Sequence, residues 1–471
     1  MRLRNVKMGP LMEPTLQVAL DFLELSRALG VAREAWKGGA TWIEAGTPLL
    51  KSEGLESIRA LRREFPKAYL IADTKTLDAG RTEFEAAAKA GANCATVCVT
   101  ESDATVLECI EAGRNYGIDV CVDLLGLHGE RLLEVAKKCE EWGAHHIGLH
   151  LPIDEQMRGR DVTDVLRELR PHVSLPIAVA GGVNSENAPA MVKAGAQIVI
   201  VGGAISKSAD AAGATRTLLR AIREGKGAAS LLYKRGSTDL ELRAILKKVS
   251  TPNLSDAMHR SGDLPGIELQ TPGLKIVGPA VTVRTYPGDW AKPVEAIDLA
   301  KPGDVIVVDA CGQGPAIWGE LASESCQQKK LAGIVIEGAI RDIDTIREIG
   351  FPAAARLVTP TAGEPKGFGE INVTIRIGGL QISPGDWIVG DASGVVRIPR
   401  AKAVEIANRA MDVLEHENRL REEIRRKATL GSVAELHRWE KHIVDGLDRG
   451  NGGAPRAASE GAARKSKSKG R

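Results

Sequence analysis

Aromatic residues are scarce in this chain, at 3% of 471 residues. That is too few for the base-stacking platforms that hold single-stranded nucleic acid. No apolar run approaches the roughly 18–20 residues that a membrane helix needs, and candidates such as 198–201 stop at glycines. Residues 1–14 carry Arg2, Arg4 and Lys7 but no apolar core, so they do not read as a secretory leader. Cysteine is sparse and odd in number. The seven cysteines include no Cys-x-x-Cys pair, which argues against a disulfide framework or a zinc knuckle and for a reduced, cytoplasmic protein with buried thiols. Neither sign of charge prevails: 63 Lys+Arg face 61 Asp+Glu. No global field therefore attracts nucleic acid, and neither nucleic acid nor a membrane is an expected partner.

What is plentiful is glycine, at 51 residues, in a chain that is 43% hydrophobic and 26% charged. The length is about three times that of a typical domain, so more than one domain is expected. In the first half, short β-branched runs recur at even spacing: 16–21, 41–45, 68–73, 94–100, 118–124, 145–150, 176–181 and 197–202. Helical stretches separate them. Continuous apolar strands alternating with helices imply a parallel sheet covered by helices. Eight such units fit an α/β barrel of the (β/α)8 TIM type better than an open sheet. The barrel is assigned to 11–227 and a linker to 228–238.

A mixed α/β domain with a C-terminal helix is assigned to 239–428. It opens with a helix at 239–249 and a capped turn from Ser250. Runs at 276–284, 304–308, 333–337, 373–377, 387–389 and 395–398 read as strands, and 401–428 as a charged amphipathic helix. The stretch 447–471 is basic and nearly devoid of large apolar residues, so a disordered, solubilising tail is expected there.

In such a barrel, chemistry sits where the strands end. Those ends carry Asp21, Glu44, Asp73-x-Lys75-x-x-Asp78, Asp123 and His150. Taken singly, an aspartate at a strand end is more often a helix cap. Gathered in one mouth, the set points to catalysis or a metal. Asp73 and Lys75, two apart on a strand, fall on one side of it. Glu44 on the neighbouring strand would approach Asp73, and two such carboxylates suit Mg²⁺. Lys75 places a positive charge near an oxyanion, as enediolate chemistry requires. Gly181-Gly182 and Gly202-Gly203 end the last two strands, where backbone N–H groups can cradle a phosphate.

These motifs, with Leu16-Gln-Val-Ala-Leu-Asp21, Ile43-Glu-Ala-Gly-Thr-Pro-Leu49, Asp73-Thr-Lys-Thr-Leu-Asp-Ala-Gly80, His150-Leu-Pro-Ile-Asp-Glu-Gln156 and Val179-Ala-Gly-Gly-Val183, resemble 3-hexulose-6-phosphate synthase over roughly 11–224. That is a lyase family within the orotidine-monophosphate-decarboxylase superfamily. The resemblance implies a reversible aldol reaction of the ribulose monophosphate pathway, between D-ribulose 5-phosphate and formaldehyde, giving D-arabino-3-hexulose 6-phosphate. It implies Mg²⁺ or Mn²⁺ on Glu44 and Asp73, Lys75 at the enediolate and His150 in proton transfer, with Asp21 and Asp123 in the catalytic set. It also implies a barrel dimer in which Asp78 acts in the partner's site. The rival is 3-keto-L-gulonate-6-phosphate decarboxylase. That family resembles Glu, Arg and Thr where this chain has Asp123, Ile153 and Ala180, so all three positions favour the synthase.

In the second half, Gly312-Gln-Gly314 leads into Glu320, and Arg341-Asp342 follows a buried run. Arginine can clamp a carboxylate while the adjacent aspartate holds a metal. Equally, Arg341-Asp342 can be a strand-end ion pair and the glycines mere turns. These motifs resemble the RraA-like family over roughly 250–399. The family includes metal-dependent 4-hydroxy-4-methyl-2-oxoglutarate aldolases and regulators of ribonuclease E. It implies a trimer or hexamer and a second site at Gly312, Gly314, Glu320, Arg341 and Asp342, with the metal on Asp342. Ala316 stands where the aldolases often have glycine.

Overall fold

The computed structural model describes residues 13–230 and 235–434. The proposed barrel start at residue 11, the apolar triplet 231–233 of the linker and the tail 447–471 lie outside them in whole or part. The eight strands are β1 (Thr15–Leu20), β2 (Trp42–Ala45), β3 (Tyr69–Thr76), β4 (Cys94–Cys98), β5 (Asp119–Asp123), β6 (His146–His150), β7 (Ile177–Ala180) and β8 (Ile198–Val201). They pair in parallel and close into a barrel, with Thr15–Val18 registered on Ile198–Val201. Each sits within a few residues of its expected run. Strands this short, and buried along nearly their whole length, hold together because the helices bury one face and the barrel interior the other. Helices such as Ala104–Tyr116 and Gly129–Trp142 end on Gly117 and Gly143. Both glycines are left-handed, which stops the helix and turns the chain toward the next strand. Val18, Ile43, Val97, Val122, Ile147, Val179 and Val199 belong to one core made only of barrel residues.

The barrel departs from regularity once. Between Ala72 and Thr76 the register of β3 against β4 slips, with four steps on β3 opposing two on β4. Lys75 has φ +46° there. Bulges of this kind re-aim side chains.

The second domain adds β9 (Glu268–Leu269), β10 (Ile276–Arg284), β11 (Val305–Asp309), β12 (Gly333–Ile340), β13 (Ala353–Val358), β14 (Glu370–Ile371), β15 (Ile375–Ile377), β16 (Leu380–Ile382), β17 (Trp387–Asp391) and β18 (Gly394–Ile398). The main sheet runs β18-β17-β10-β11-β12-β13-β9, parallel from β10 to β13 and antiparallel toward both edges. The helices Asp239–Lys248 and Thr251–Ala257 open on capping boxes at Thr238 and Ser250. Two expectations need correction. The run at 373–377 yields only β15, which pairs with β16 outside the main sheet. β13 was not expected, because Ala353-Ala-Ala-Arg reads as a helix former. Its place beside β12, with Ala353–Ala355 fully buried, overrides propensity.

The helix expected at 401–428 spans Ala403–Arg425. Ala403, Ile406, Ala407, Ala410 and Met411 pack with Trp387, Val389 and Ile398 of the second domain. Its other face meets the barrel. Asn408, 1% exposed, donates to the Met157 carbonyl (2.9 Å). Arg409 pairs with Asp154 (2.8 Å), and Arg419 donates to the Ser208 carbonyl (2.7 Å). The described residues up to Glu422 form one compact unit. By itself, the described stretch 423–434 ends the long helix and adds the short helix Leu430–Val433, capped by Thr429. Among the described residues no helix is long and apolar enough to cross a membrane.

Candidate active site

Asp73 is the hub of the barrel mouth. Its carboxylate accepts Lys75 Nζ on both oxygens (2.9 Å each), Thr96 Oγ1 (2.9 Å) and Thr47 Oγ1 (2.7 Å). Burial alone would raise this carboxyl. The Lys75 charge and the donated hydrogen bonds outweigh it and hold the group below the usual range. Lys75 Nζ also reaches Asp123 Oδ2 at 3.3 Å, and that oxygen lies 4.0 Å from His150 Nδ1. The result is a line of groups, Asp73–Lys75–Asp123–His150, drawn from three strands, in which Lys75 lies between two carboxyls and an imidazole ends the row. Burial pushes Lys75 down, but the charges of Asp73 and Asp123 prevail and raise it, so it stays an ammonium ion. Burial raises Asp123 despite Lys75 and His150 beside it. Burial lowers His150, which leaves the imidazole neutral near neutral pH.

The sequence places Asp73 and Lys75 together by strand alternation; the structure does it differently. The bulge and the positive φ of Lys75 fold its side chain back onto Asp73. Thr96 Oγ1 pins the turn by accepting the Lys75 amide (2.9 Å) while donating to Asp73.

Glu44 and Asp21 complete the mouth. Glu44 is buried and accepts a hydrogen bond from Gln17 Nε2. Its carboxyl is raised by burial, then by the negative charges of Asp73 and Asp21. Asp21 faces the open mouth against Gly46 and Gly202; a Cβ at Gly46 would collide with its Oδ1. Burial and Asp73 raise it also. Four carboxyl groups, Asp21, Glu44, Asp73 and Asp123, thus confront one lysine. No group of three or more His, Cys, Asp or Glu among the described residues forms a closed metal cage. Glu44 and Asp73 would offer a hard divalent ion such as Mg²⁺ or Mn²⁺ two carboxylates of the oxygen-donor type it takes, with water or substrate oxygens to fill its shell.

Asp78 stands apart from this cluster. It is exposed after β3, and its carboxylate accepts the Ala79 amide (2.7 Å). The glycine pairs lie where expected. Gly181 and Gly182 follow β7 with φ +115° and +70°. A Cβ on Gly181 would sit 2.9 Å from Leu151 Cβ, so the turn requires glycine. Gly202 follows β8, and Gly203 opens the short helix Gly203–Ser206.

In the second domain, Gly312 and Gly314 lie on the loop after β11, Gly312 with φ +70°. Glu320 starts the helix Glu320–Gln328, and Arg341-Asp342 follows β12. The structure joins the last three through Asp342, whose Oδ2 accepts the Glu320 amide (3.3 Å) and meets Arg341 Nε (3.3 Å). A Cβ at Gly319 would collide with Asp342 Oδ2, so the close approach depends on glycine there. Beside Gly312, Arg356 grips Glu337 with two hydrogen bonds (2.9 and 3.0 Å).

Two family models match. Residues 14–218 match the orotidine 5′-phosphate decarboxylase/HUMPS model and residues 251–397 the Aldolase/RraA model. A 3-hexulose-6-phosphate synthase of Mycobacterium gastri is 37% identical over 208 residues, 44% of this chain and 99% of that protein. An uncharacterised protein of Methanocaldococcus jannaschii is 39% identical over 196 residues, 41% of this chain and 93% of its own. A putative 4-hydroxy-4-methyl-2-oxoglutarate aldolase of Halalkalibacterium halodurans is 39% identical over 166 residues, 35% of this chain and 79% of its own. The chain belongs to the orotidine 5′-phosphate decarboxylase/HUMPS family through its barrel and to the Aldolase/RraA family through its second domain.

The HUMPS barrel is a lyase of the aldolase–synthase kind. Sequence reasoning missed Gln17, Thr47 and Thr96, which donate to the acidic cluster. A signal existed for two of them, since Gln17 and Thr96 are polar interruptions of buried strands. The RraA-like domain held two more silent residues. Arg356 carries the Glu337 pair, and buried Asp289 accepts the Lys366, Gly367 and Phe368 amides.

Proposed function

We propose that the barrel is a 3-hexulose-6-phosphate synthase, joining D-ribulose 5-phosphate to formaldehyde. The observation that carries this reading is the line Asp73–Lys75–Asp123–His150. A base takes a proton from C1 of ribulose 5-phosphate and leaves an enediolate. C1 then bonds to the formaldehyde carbon, and the former carbonyl oxygen takes up a proton. His150, neutral and lodged beside Asp123, is suited to move that proton. Lys75 holds a fixed positive charge where the oxyanion develops, and Asp73 and Asp123 fix its position. A divalent ion held by Glu44 and Asp73 would supply further polarisation of the substrate's carbonyl oxygen. The Gly181-Gly182 and Gly202-Gly203 turns receive the phosphate.

Asp123 and Ala180 end β5 and β7, exposed Ile153 opens the helix Ile153–Met157 after β6, and these residue types support the synthase over the gulonate-phosphate decarboxylase. Partners are thus a sugar phosphate and formaldehyde, with a homo-oligomer that lets Asp78 act across a barrel dimer. Hexulose phosphate formation from the two substrates, lost in EDTA and restored by Mg²⁺ or Mn²⁺, tests this reading. A barrel that instead decarboxylates 3-keto-L-gulonate 6-phosphate and ignores formaldehyde refutes it.

For the second domain we propose a metal-dependent aldolase or decarboxylase of oxo acids, with Arg341 at the substrate carboxylate and Asp342 at the metal. The reading rests on the Arg341–Asp342 pair at the end of β12, set beside the amide that opens the helix Glu320–Gln328; a purely regulatory domain is the alternative. Release of pyruvate from oxo-acid substrates, abolished in Arg341→Ala, is the corresponding assay.

A further inference from the structure

The barrel's phosphate turns are all glycine, and glycine supplies amides but no charge. Among the described residues, two cations lie near them. Lys207 stacks its chain close to Gly203, where a Cβ would be 3.8 Å from Nζ. That ammonium is already matched by Asp412, and more distantly by Glu415 (4.0 Å), on the helix Ala403–Arg425. The other is Arg235. It lies beyond the matched barrel, in the linker to the second domain. One guanidinium nitrogen is 3.5 Å from where a Gly182 Cβ would be and donates to Gln156 Oε1 at 2.8 Å.

The surroundings of Arg235 point toward an anion that is not part of the protein. Among the described residues it has no carboxylate partner. Its one acceptor is the neutral amide of Gln156, which is itself anchored on the Leu151 carbonyl (2.7 Å). The Gly181 and Gly182 amides beside it donate to no acceptor among the described residues. A half-buried arginine held in place next to two open amides is a preformed anion seat, and a phosphate dianion accepts from a guanidinium fork and amides together.

What holds Arg235 there belongs to the second domain. The next residue, Gly236, donates its amide to Asn408 Oδ1 (2.9 Å), and its carbonyl accepts Asn408 Nδ2 (3.0 Å). The same Nδ2 reaches the Met157 carbonyl of the barrel. Asn408 therefore clasps linker and barrel at one point, immediately beside the arginine.

We propose that Arg235 is the side-chain ligand of the substrate phosphate, so that the barrel's sugar-phosphate site is completed by the linker and positioned through Asn408 by the second domain. The inference rests on the reading that the barrel takes a phosphorylated sugar. It assigns to the fusion itself a role in substrate affinity.

The test uses the full chain and the variants R235A, R235K and N408A. The measurements are kcat and KM for ribulose 5-phosphate, competitive inhibition by inorganic phosphate, and calorimetric binding of both compounds. A charge-assisted contact makes R235A weaken KM and phosphate inhibition together by roughly 10- to 100-fold with kcat little changed. R235K recovers part of the affinity, and added guanidinium rescues R235A but not the wild type. N408A shifts the same two constants less, while a merely structural loss would lower the active fraction and leave KM alone. If R235A does not fold, R235K and R235Q carry the comparison. KM and phosphate inhibition within two-fold of wild type in the arginine variants overturn the inference while leaving the synthase reading intact. Phosphate binding that depends on Arg235 in a protein without synthase turnover overturns that reading and leaves the inference standing.

Discussion

Replacing Lys75 by methionine isolates the one cation on which the barrel mouth depends. The ammonium lies between Asp73 and Asp123, whose side chains are 10% and 6% exposed. Removing one partner of a buried ion pair costs about 3–5 kcal/mol, because the survivor is left buried and unpaired. Lys75 itself is 23% exposed, so water from the mouth reaches the cluster. Thr47 and Thr96 still donate to Asp73, and the expected loss is nearer ~2–3 kcal/mol at pH 8. The sign with pH follows from what remains. Without the lysine, burial dominates both carboxyls and lifts their folded-state pKa above the unfolded value. The penalty is then small at low pH and grows as pH rises through the raised values, so K75M is closer to wild type at pH 5 than at pH 8. Denaturant unfolding across that range measures it. Turnover falls by about 10²–10³, the usual effect of losing one oxyanion-stabilising group. In the double variant K75M/D123N, part of the stability returns and the turnover does not. A K75M protein with unchanged stability at pH 8 and near-normal turnover would refute both the buried-pair energetics and the placement of Lys75 at the reacting oxygen.

Three further outcomes are expected. H150A lowers kcat by about 10²–10⁴ with little change in KM for ribulose 5-phosphate; equal turnover per folded molecule would make His150 a structural residue. On the proposed metal reading, E44Q costs more than the roughly 10–100-fold of losing a metal ligand's outer partner, read as lost activation in an Mg²⁺ titration. His146 is buried against Trp42, and burial takes its imidazole from 6.5 to about 4. Its unfolded form binds the proton more readily, so up to about 3 kcal/mol of stability is lost as pH falls from 6.5 to 4. H146F unfolding followed over that interval should show a flatter acid limb.

The parts legible in the sequence were those written locally. The barrel strands are short, largely apolar runs, and Asp21, Glu44, Asp73, Asp123 and His150 follow from asking which charged or titratable residues lie at or near their C-terminal ends. The Asp73–Lys75 pair was legible in identity but not in cause, because a bulge is a relation between β3 and β4 that neither strand announces. β13 stayed hidden because alanine carries helical propensity, and only burial beside β12 makes it a strand. Arg235 and Asn408 had no signal at all. Their partners are 79 and 172 positions away, and an arginine next to a lysine in a short linker looks like any solvated charge. The barrel's charged residues near strand ends were readable, while the polar groups that only donate to them, Gln17, Thr47 and Thr96, and the linker's Arg235 were not.

That division decides what happens when the chain is cut. The barrel's core contains only residues of the barrel, and the three cores of the second domain contain only its own. Between the two, the side-chain contacts of the long helix are largely polar: Asn408 on Met157, Arg409 on Asp154, Arg419 on Ser208 and Glu34, and Lys207 on Asp412. Separation exchanges these for water at modest cost, since exposed ion pairs contribute about 0–1 kcal/mol each and net hydrogen bonds about 1 kcal/mol. A fragment ending near Gly227 therefore folds and keeps its kcat, and one starting near Ser237 folds as a separate body. The barrel fragment loses Arg235, however, so its KM for ribulose 5-phosphate rises by about as much as in R235A of the full chain. Mixing the fragments does not restore it, because neither carries the arginine. Moving the cut to leave Arg235 on the second fragment gives back affinity only when that fragment docks. A barrel fragment that is insoluble alone and rescued by its other half would show that the polar contacts hold the fold together. A soluble fragment with unaltered KM would show that the phosphate needs nothing from the linker.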